Sequence, residues 1–80
     1  MSYQTILRSN VRAELARRDL QVQEAAELIG MNRAMLSSRL HGRTEWRMNE
    51  LVTLARVLGV PFARLTAGID EDVEVVATNG

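Results

Sequence analysis

Eighty residues, 46% of them hydrophobic and 25% charged, suffice for one small globular domain and leave no room for two independent cores. Ten Arg balance ten acids, but residues 1–69 hold all ten Arg against six acids, net +4, while residues 70–80 hold Asp70, Glu71, Asp72 and Glu74 with no base, net −4. With no Cys and a single His there is no disulfide framework, no thiolate nucleophile and no His-based metal site, and no acid–base cluster lies outside the acidic tail, so a catalyst and a cofactor are not expected.

A chain of this length retains about 4 to 12 kcal/mol of stability, so its larger apolar side chains are expected in the core, leaving no dedicated small-molecule pocket. The apolar runs are too short for a membrane span, and the N-terminus lacks a signal-peptide layout, so the expected location is the cytoplasm. The domain boundary is expected at residue 69, with 70–80 as a tail.

Helices are expected throughout the body, since no segment before residue 72 alternates like a strand. From Tyr3 to Arg18, Leu7, Val11 and Leu15 recur at four-residue spacing and form an apolar stripe, with Arg8, Arg12 and Glu14 directed elsewhere. The break falls at Asp19-Leu20-Gln21. A second helix of about two turns runs from Val22 to Ile29, burying Ala25, Ala26 and Ile29, and stops at Gly30. Asn32 is a good N-cap for a third helix over Arg33–His41, which Gly42 ends. After a loop at residues 43–47, Met48, Leu51, Leu54, Ala55 and Leu58 mark a fourth helix closed by Gly59. Pro61 opens a fifth, with Phe62 and Leu65, before Gly68. The Met residues and Trp46 read as packing groups, Trp46 anchoring the loop between the third and fourth helices.

Short second and third helices joined by a Gly-containing turn, with Ala26 in the middle of the first, suit two helices that cross steeply and closely. At about 100° per residue, Arg33, Ala34, Ser37, Ser38 and His41 share one side of the third helix, while Met35, Leu36 and Leu40 share the other. A helix lying in a DNA major groove needs that division: small side chains permit close approach, and a few donors read base edges. Arg33 in the first turn is the leading reader, because a guanidinium binds guanine O6 and N7 bidentately. Arg33, Arg39, Arg43 and Arg47 face only Glu45 over a short interval, which favours phosphate contact over four merely solvated cations. Arg39 lies beside the core side, where its stem can simply pack, and His41 at a helix C-terminus is read as favouring the dipole.

Glu24-Ala25-Ala26-Glu27-Leu28-Ile29-Gly30, then Leu36-Ser37-Ser38-Arg39-Leu40-His41-Gly42, then Asn49-Glu50-Leu51 and Ala55-Arg56-Val57-Leu58-Gly59-Val60 together resemble the lambda-repressor-like (XRE, Cro-type) helix-turn-helix family. The likeness runs from Leu20 to Leu58, more loosely from Tyr3 to Gly68, and its nearest flavour is that of actinobacterial and actinophage members.

It implies an all-α, five-helix DNA-binding domain and a sequence-specific transcriptional regulator, a repressor of the phage Cro or immunity type. Carried over by position, Arg33, Ala34, Ser37 and Ser38 would touch bases. Gln21 and Gln23 at the opening of the second helix, with Asn32, Arg39, Arg43 and Arg47, would touch the DNA backbone. The partner implied is a double-stranded, palindromic operator bound by a homodimer, in the nucleoid of a bacterial host.

The chain departs from the family at Val22, where Gln is frequent, at Gln21 and Arg47, where Ser or Thr caps are usual, and at Leu15 and Leu40, where some members carry an Arg–Glu pair. The rival reading is a protein-binding module, an antitoxin or anti-repressor on the same scaffold. In the tail, Val73 to Thr78 reads equally as a strand pairing with a two-fold mate or as a loose acidic terminus.

Overall fold

The computed structural model describes residues 2–69, whose helices are α1 (Tyr3–Arg17), α2 (Val22–Ile29), α3 (Arg33–Leu40), α4 (Met48–Leu58) and α5 (Phe62–Leu65), with no strand among the described residues. The strand weighed for Val73 to Thr78 and the tail boundary at residue 70 lie outside them. Each of α1 to α4 begins where a side chain satisfies amides that have no partner within the first turn, whereas α5 opens at Pro61 without a side-chain cap. Ser2 Oγ accepts from the Thr5 N–H at 3.3 Å and Asn32 Oδ1 from the Met35 N–H at 2.8 Å. At α2 and α4 a glutamate in the third helical position reaches back instead. Glu24 Oε1 accepts from the Gln21 N–H and Glu50 Oε1 from the Arg47 N–H, both at 2.9 Å. Arg47 is thus a workable helix entry without a Ser or Thr.

Gly30 and Gly59 close α2 and α4 in the left-handed conformation. At the end of α1 a non-glycine takes that role: Asp19 has φ 58, and the Leu20 N–H returns to the Leu15 carbonyl at 3.0 Å. The sequence-based ends of α1 and α3 run one residue long, since Arg18 and His41 are caps rather than helical residues.

α1 packs on α3 and α5, α2 on α3 and α4, and α4 on α5. Leu36, Leu54, Leu65 and Val11 are fully enclosed, each contributing about 1.5–3 kcal/mol of burial. Ala25 and Ala26 are buried where α2 approaches its neighbours. Leu15 and Leu40 both lie in the core.

Three expectations are corrected. Glu14 is not directed away from the core but is only 1% exposed, because the buried stripe of α1 runs Gln4, Leu7, Val11, Glu14 and Leu15, a mixed three- and four-residue spacing that carries two polar side chains inward. Met35 and Met48 are not core residues: they are 41% and 65% exposed, each sitting at the edge of its helix's apolar side.

Candidate nucleic-acid interface

α3 is fixed from behind by charge as well as by Leu36 and Leu40. Arg39 turns beneath the helix and grips Glu50 of α4 with two bonds, Nε to Oε1 at 2.8 Å and Nη2 to Oε2 at 2.7 Å, while its Nη1 donates to the Met35 carbonyl at 3.2 Å. Glu50 also receives the Arg47 N–H, so one carboxylate joins α3 to the first turn of α4. Burial pushes the Glu50 carboxyl up, but the bonds from Arg39 and the Arg47 backbone, with the charges of both residues, hold it below the ordinary value of 4.5. At the C-terminal end, Arg12 of α1 donates to the Leu40 carbonyl from Nε at 3.0 Å and Nη2 at 2.6 Å. Arg8 lies against Gly42, where a Cβ would stand 2.7 Å from its Nη1. Two cations thus face the negative end of α3.

The opposite side of α3 is open. Arg33 and Ala34 are exposed, and Ser37 and Ser38 are half-buried. The His41 Nδ1 lies 2.8 Å from the Ser37 carbonyl and 3.3 Å from its hydroxyl. A carbonyl only accepts, so Nδ1 carries the proton and the imidazole caps its own helix end. The loop beyond is pinned to α3, since the Ser38 carbonyl accepts from the N–H groups of Arg43, at 2.9 Å, and Thr44, at 3.3 Å. Arg33, Arg43 and Arg47 are exposed and form no ion pair among the described residues.

A family model described as helix-turn-helix matches residues 11–65, more than half of the chain, and takes in α2 to α5 and the C-terminal part of α1. The chain belongs to this helix-turn-helix family. It is of the XRE, lambda-repressor-like kind, a DNA-binding regulator whose ligand class is double-stranded DNA. No curated protein and no solved structure matches it. No helix among the described residues is long and apolar enough to cross a membrane.

Within the helix-turn-helix unit one expected backbone contact is corrected. Arg39 is buried and its guanidinium is committed to Glu50 and the Met35 carbonyl, so it is not available to a phosphate. The other expected residues are at the surface. Asn32 spends Oδ1 on its cap and keeps its amide nitrogen for a partner. Gln21 and Gln23 stand at the opening of α2, but the Gln21 N–H is taken by Glu24, whose carboxylate occupies the positive end of the helix. The Gln23 side chain donates to Glu27 at 3.2 Å.

Several supports of the helix-turn-helix were missed in the sequence. The Gln21–Glu24 and Arg47–Glu50 spacings are legible as helix starts once a glutamate three residues on is counted as the capping group. Gln4 is less legible: its amide donates to the Trp46 carbonyl at 3.1 Å and its Oε1 accepts from the Trp46 N–H at 2.8 Å, a paired contact across 42 residues that fixes the loop before α4. Glu14 accepts from Arg17 and, at 2.7 Å, from Arg18, with Arg64 of α5 at 3.9 Å. Burial raises its pKa, yet the Arg18 bond and the charges of Arg17, Arg64 and Arg18 leave it below the ordinary value.

Proposed function

We propose that the protein is a transcriptional repressor of the phage or prophage Cro or immunity type, which occupies an operator through the major groove and excludes polymerase. α3 is the reading helix. Arg33, Ala34, Ser37 and Ser38 meet base edges, and Gln21, Gln23, Asn32, Arg43 and Arg47 meet the sugar-phosphate backbone, Arg39 being left out of the set. The observation that carries this reading is the division of α3 into a side locked to α1 and α4 and a side with small groups and one free guanidinium, flanked by two more unpaired cations. One such module covers too little DNA for tight binding, so a homodimer reads two half-sites of a palindrome one helical turn apart.

Selection from a random double-stranded pool should yield an inverted repeat with that spacing. With Arg43 and Arg47 of each protomer on phosphates, the logarithm of the binding constant should fall with the logarithm of salt at a slope of about −4. Arg33→Ala should cost about 1–3 kcal/mol and relax preference at one base pair per half-site, while Arg47→Ala should weaken all sequences alike and reduce the slope by about 2 per dimer. An unchanged selected motif in Arg33→Ala refutes the role of Arg33. Negligible affinity for every DNA at low salt refutes the whole reading and favours the protein-binding alternative.

A further inference from the structure

His41 occupies a place on α3 that the proposed set of DNA contacts leaves unused. Eight residues beyond Arg33, at about 100° per residue, it falls within about 20° of Ala34, in the middle of the open side. It is exposed, and its Nδ1–H is committed to the Ser37 carbonyl at 2.8 Å. That bond fixes the ring and leaves Nε2 on its free edge, with no hydrogen-bond partner among the described residues.

The helical rise sets His41 about 12 Å along the axis from Arg33, and the major groove is about 12 Å wide. A helix whose first turn reaches base edges therefore brings its last residue to the rim of the groove, where the acceptors are phosphate oxygens. A DNA phosphate only accepts. Because Nδ1–H is held by a carbonyl, Nε2 can donate to that phosphate only when the ring carries both protons and a positive charge.

α1 presents Arg8 and Arg12 at this end of α3, where they meet Gly42 and the Leu40 carbonyl. The loop beyond carries Arg43 and Glu45, and no carboxylate among the described residues forms an ion pair with the ring. The acids of α2 and α4 are engaged elsewhere, Glu24 by the Gln21 N–H, Glu27 by Gln23 and Glu50 by Arg39. The counter-charge for an imidazolium at this place is therefore the one that DNA brings.

Resting on α3 as the reading helix, we propose that His41 is a phosphate contact made by its protonated form, each protomer taking one proton from the buffer onto Nε2 as it binds. Imidazole is the side chain that ordinarily changes charge between pH 5 and 8, so binding strengthens as pH falls through that range. The chain has one His and no Cys, which leaves no second side-chain type that ordinarily titrates there.

Fluorescence anisotropy at constant salt tests this with two duplexes of equal length, the repeat the protein selects from a random pool and an unselected sequence. Pairing with an opposite charge shifts a titrating group by at least about one unit, so the full-length chain should bind roughly fivefold or more tighter per protomer at pH 6 than at pH 8. Both duplexes should show it, because a phosphate carries no sequence. His41→Gln, an exposed change that sets a neutral amide donor close to the place of Nε2, should make binding independent of pH. Calorimetry in two buffers of different ionisation enthalpy should read uptake of about half a proton per wild-type protomer at pH 7, and none for His41→Gln. A pH-independent wild type, a pH response that survives in His41→Gln, or one confined to the selected repeat overturns the proposal while the repressor reading stands. No binding to either duplex at either pH overturns both.

Discussion

Replacing Glu50 with Gln removes the charge that joins the reading helix to α4 while preserving the side-chain shape. The side chains of Arg39 and Glu50 are only 9% and 13% exposed. Breaking a fully buried ion pair from one side costs about 3–5 kcal/mol, because the surviving charge is stranded. Gln keeps an oxygen for the Arg47 N–H and the Arg39 Nε, and loses the acceptor that meets Nη2 at 2.7 Å, one charge-assisted bond worth about 1.5–3 kcal/mol.

The expected loss is therefore about 2–3 kcal/mol, which in a domain of this size lowers Tm by roughly 8–24 °C. Urea denaturation of the single variants and of Arg39→Met combined with Glu50→Gln gives a complete cycle. Because an apolar side chain in place of the cation leaves nothing stranded, the double variant should recover about 2 kcal/mol relative to the sum of the singles. If the two changes add to within about 0.5 kcal/mol, the pair does not hold α3, and the account of its orientation fails.

Asp19→Gly should stabilise the protein by about 0.5–1 kcal/mol in the same assay, since the left-handed residue after α1 is an acid placed at the negative end of a helix; a loss would show that the Asp19 side chain contributes a contact. Gly42→Ala should cost about 1–2 kcal/mol, because Gly42 has φ +80 and its missing Cβ leaves space for Arg8. Asn at the same position should cost less, and equal losses would point to Arg8 rather than to the backbone. The pH dependence follows from Glu14 and Glu50, whose folded pKa values lie below the ordinary 4.5. Their contribution is complete above the unfolded value and vanishes as pH falls through the lower folded ones, so Tm should hold level from neutrality to about pH 5 and drop steeply below about pH 4. Glu14→Gln should flatten part of that drop; an unchanged acid limb would refute the assignment.

Helix order, the boundaries of α2 and α4, and the open side of α3 were legible because apolar spacing and Gly or Asn punctuation are local signals. The fate of Arg39 was not, because its angle on α3 places it beside the core and only the tertiary position of Glu50, eleven residues on, decides whether a buried guanidinium is satisfied. Glu14 and Gln4 escaped for a related reason: a polar residue on an apolar stripe looks misplaced until the groups that meet it are known, which for Glu14 are Arg17 and Arg18 at the end of its own helix with Arg64 of α5, and for Gln4 the Trp46 backbone in the loop before α4. The exposed methionines reflect the opposite failure, since a hydrophobic residue at the margin of a stripe carries no mark of which neighbour fails to arrive.

The locking of α3 by Arg12, Arg39 and Glu50 involves none of the side chains on its outer side. Substitutions at Arg33, Ala34, Ser37 and Ser38 are therefore decoupled from the integrity of the fold. A lineage can drift to a new binding site, or an engineer can screen randomised versions of those four positions, without first having to rescue a collapsing scaffold.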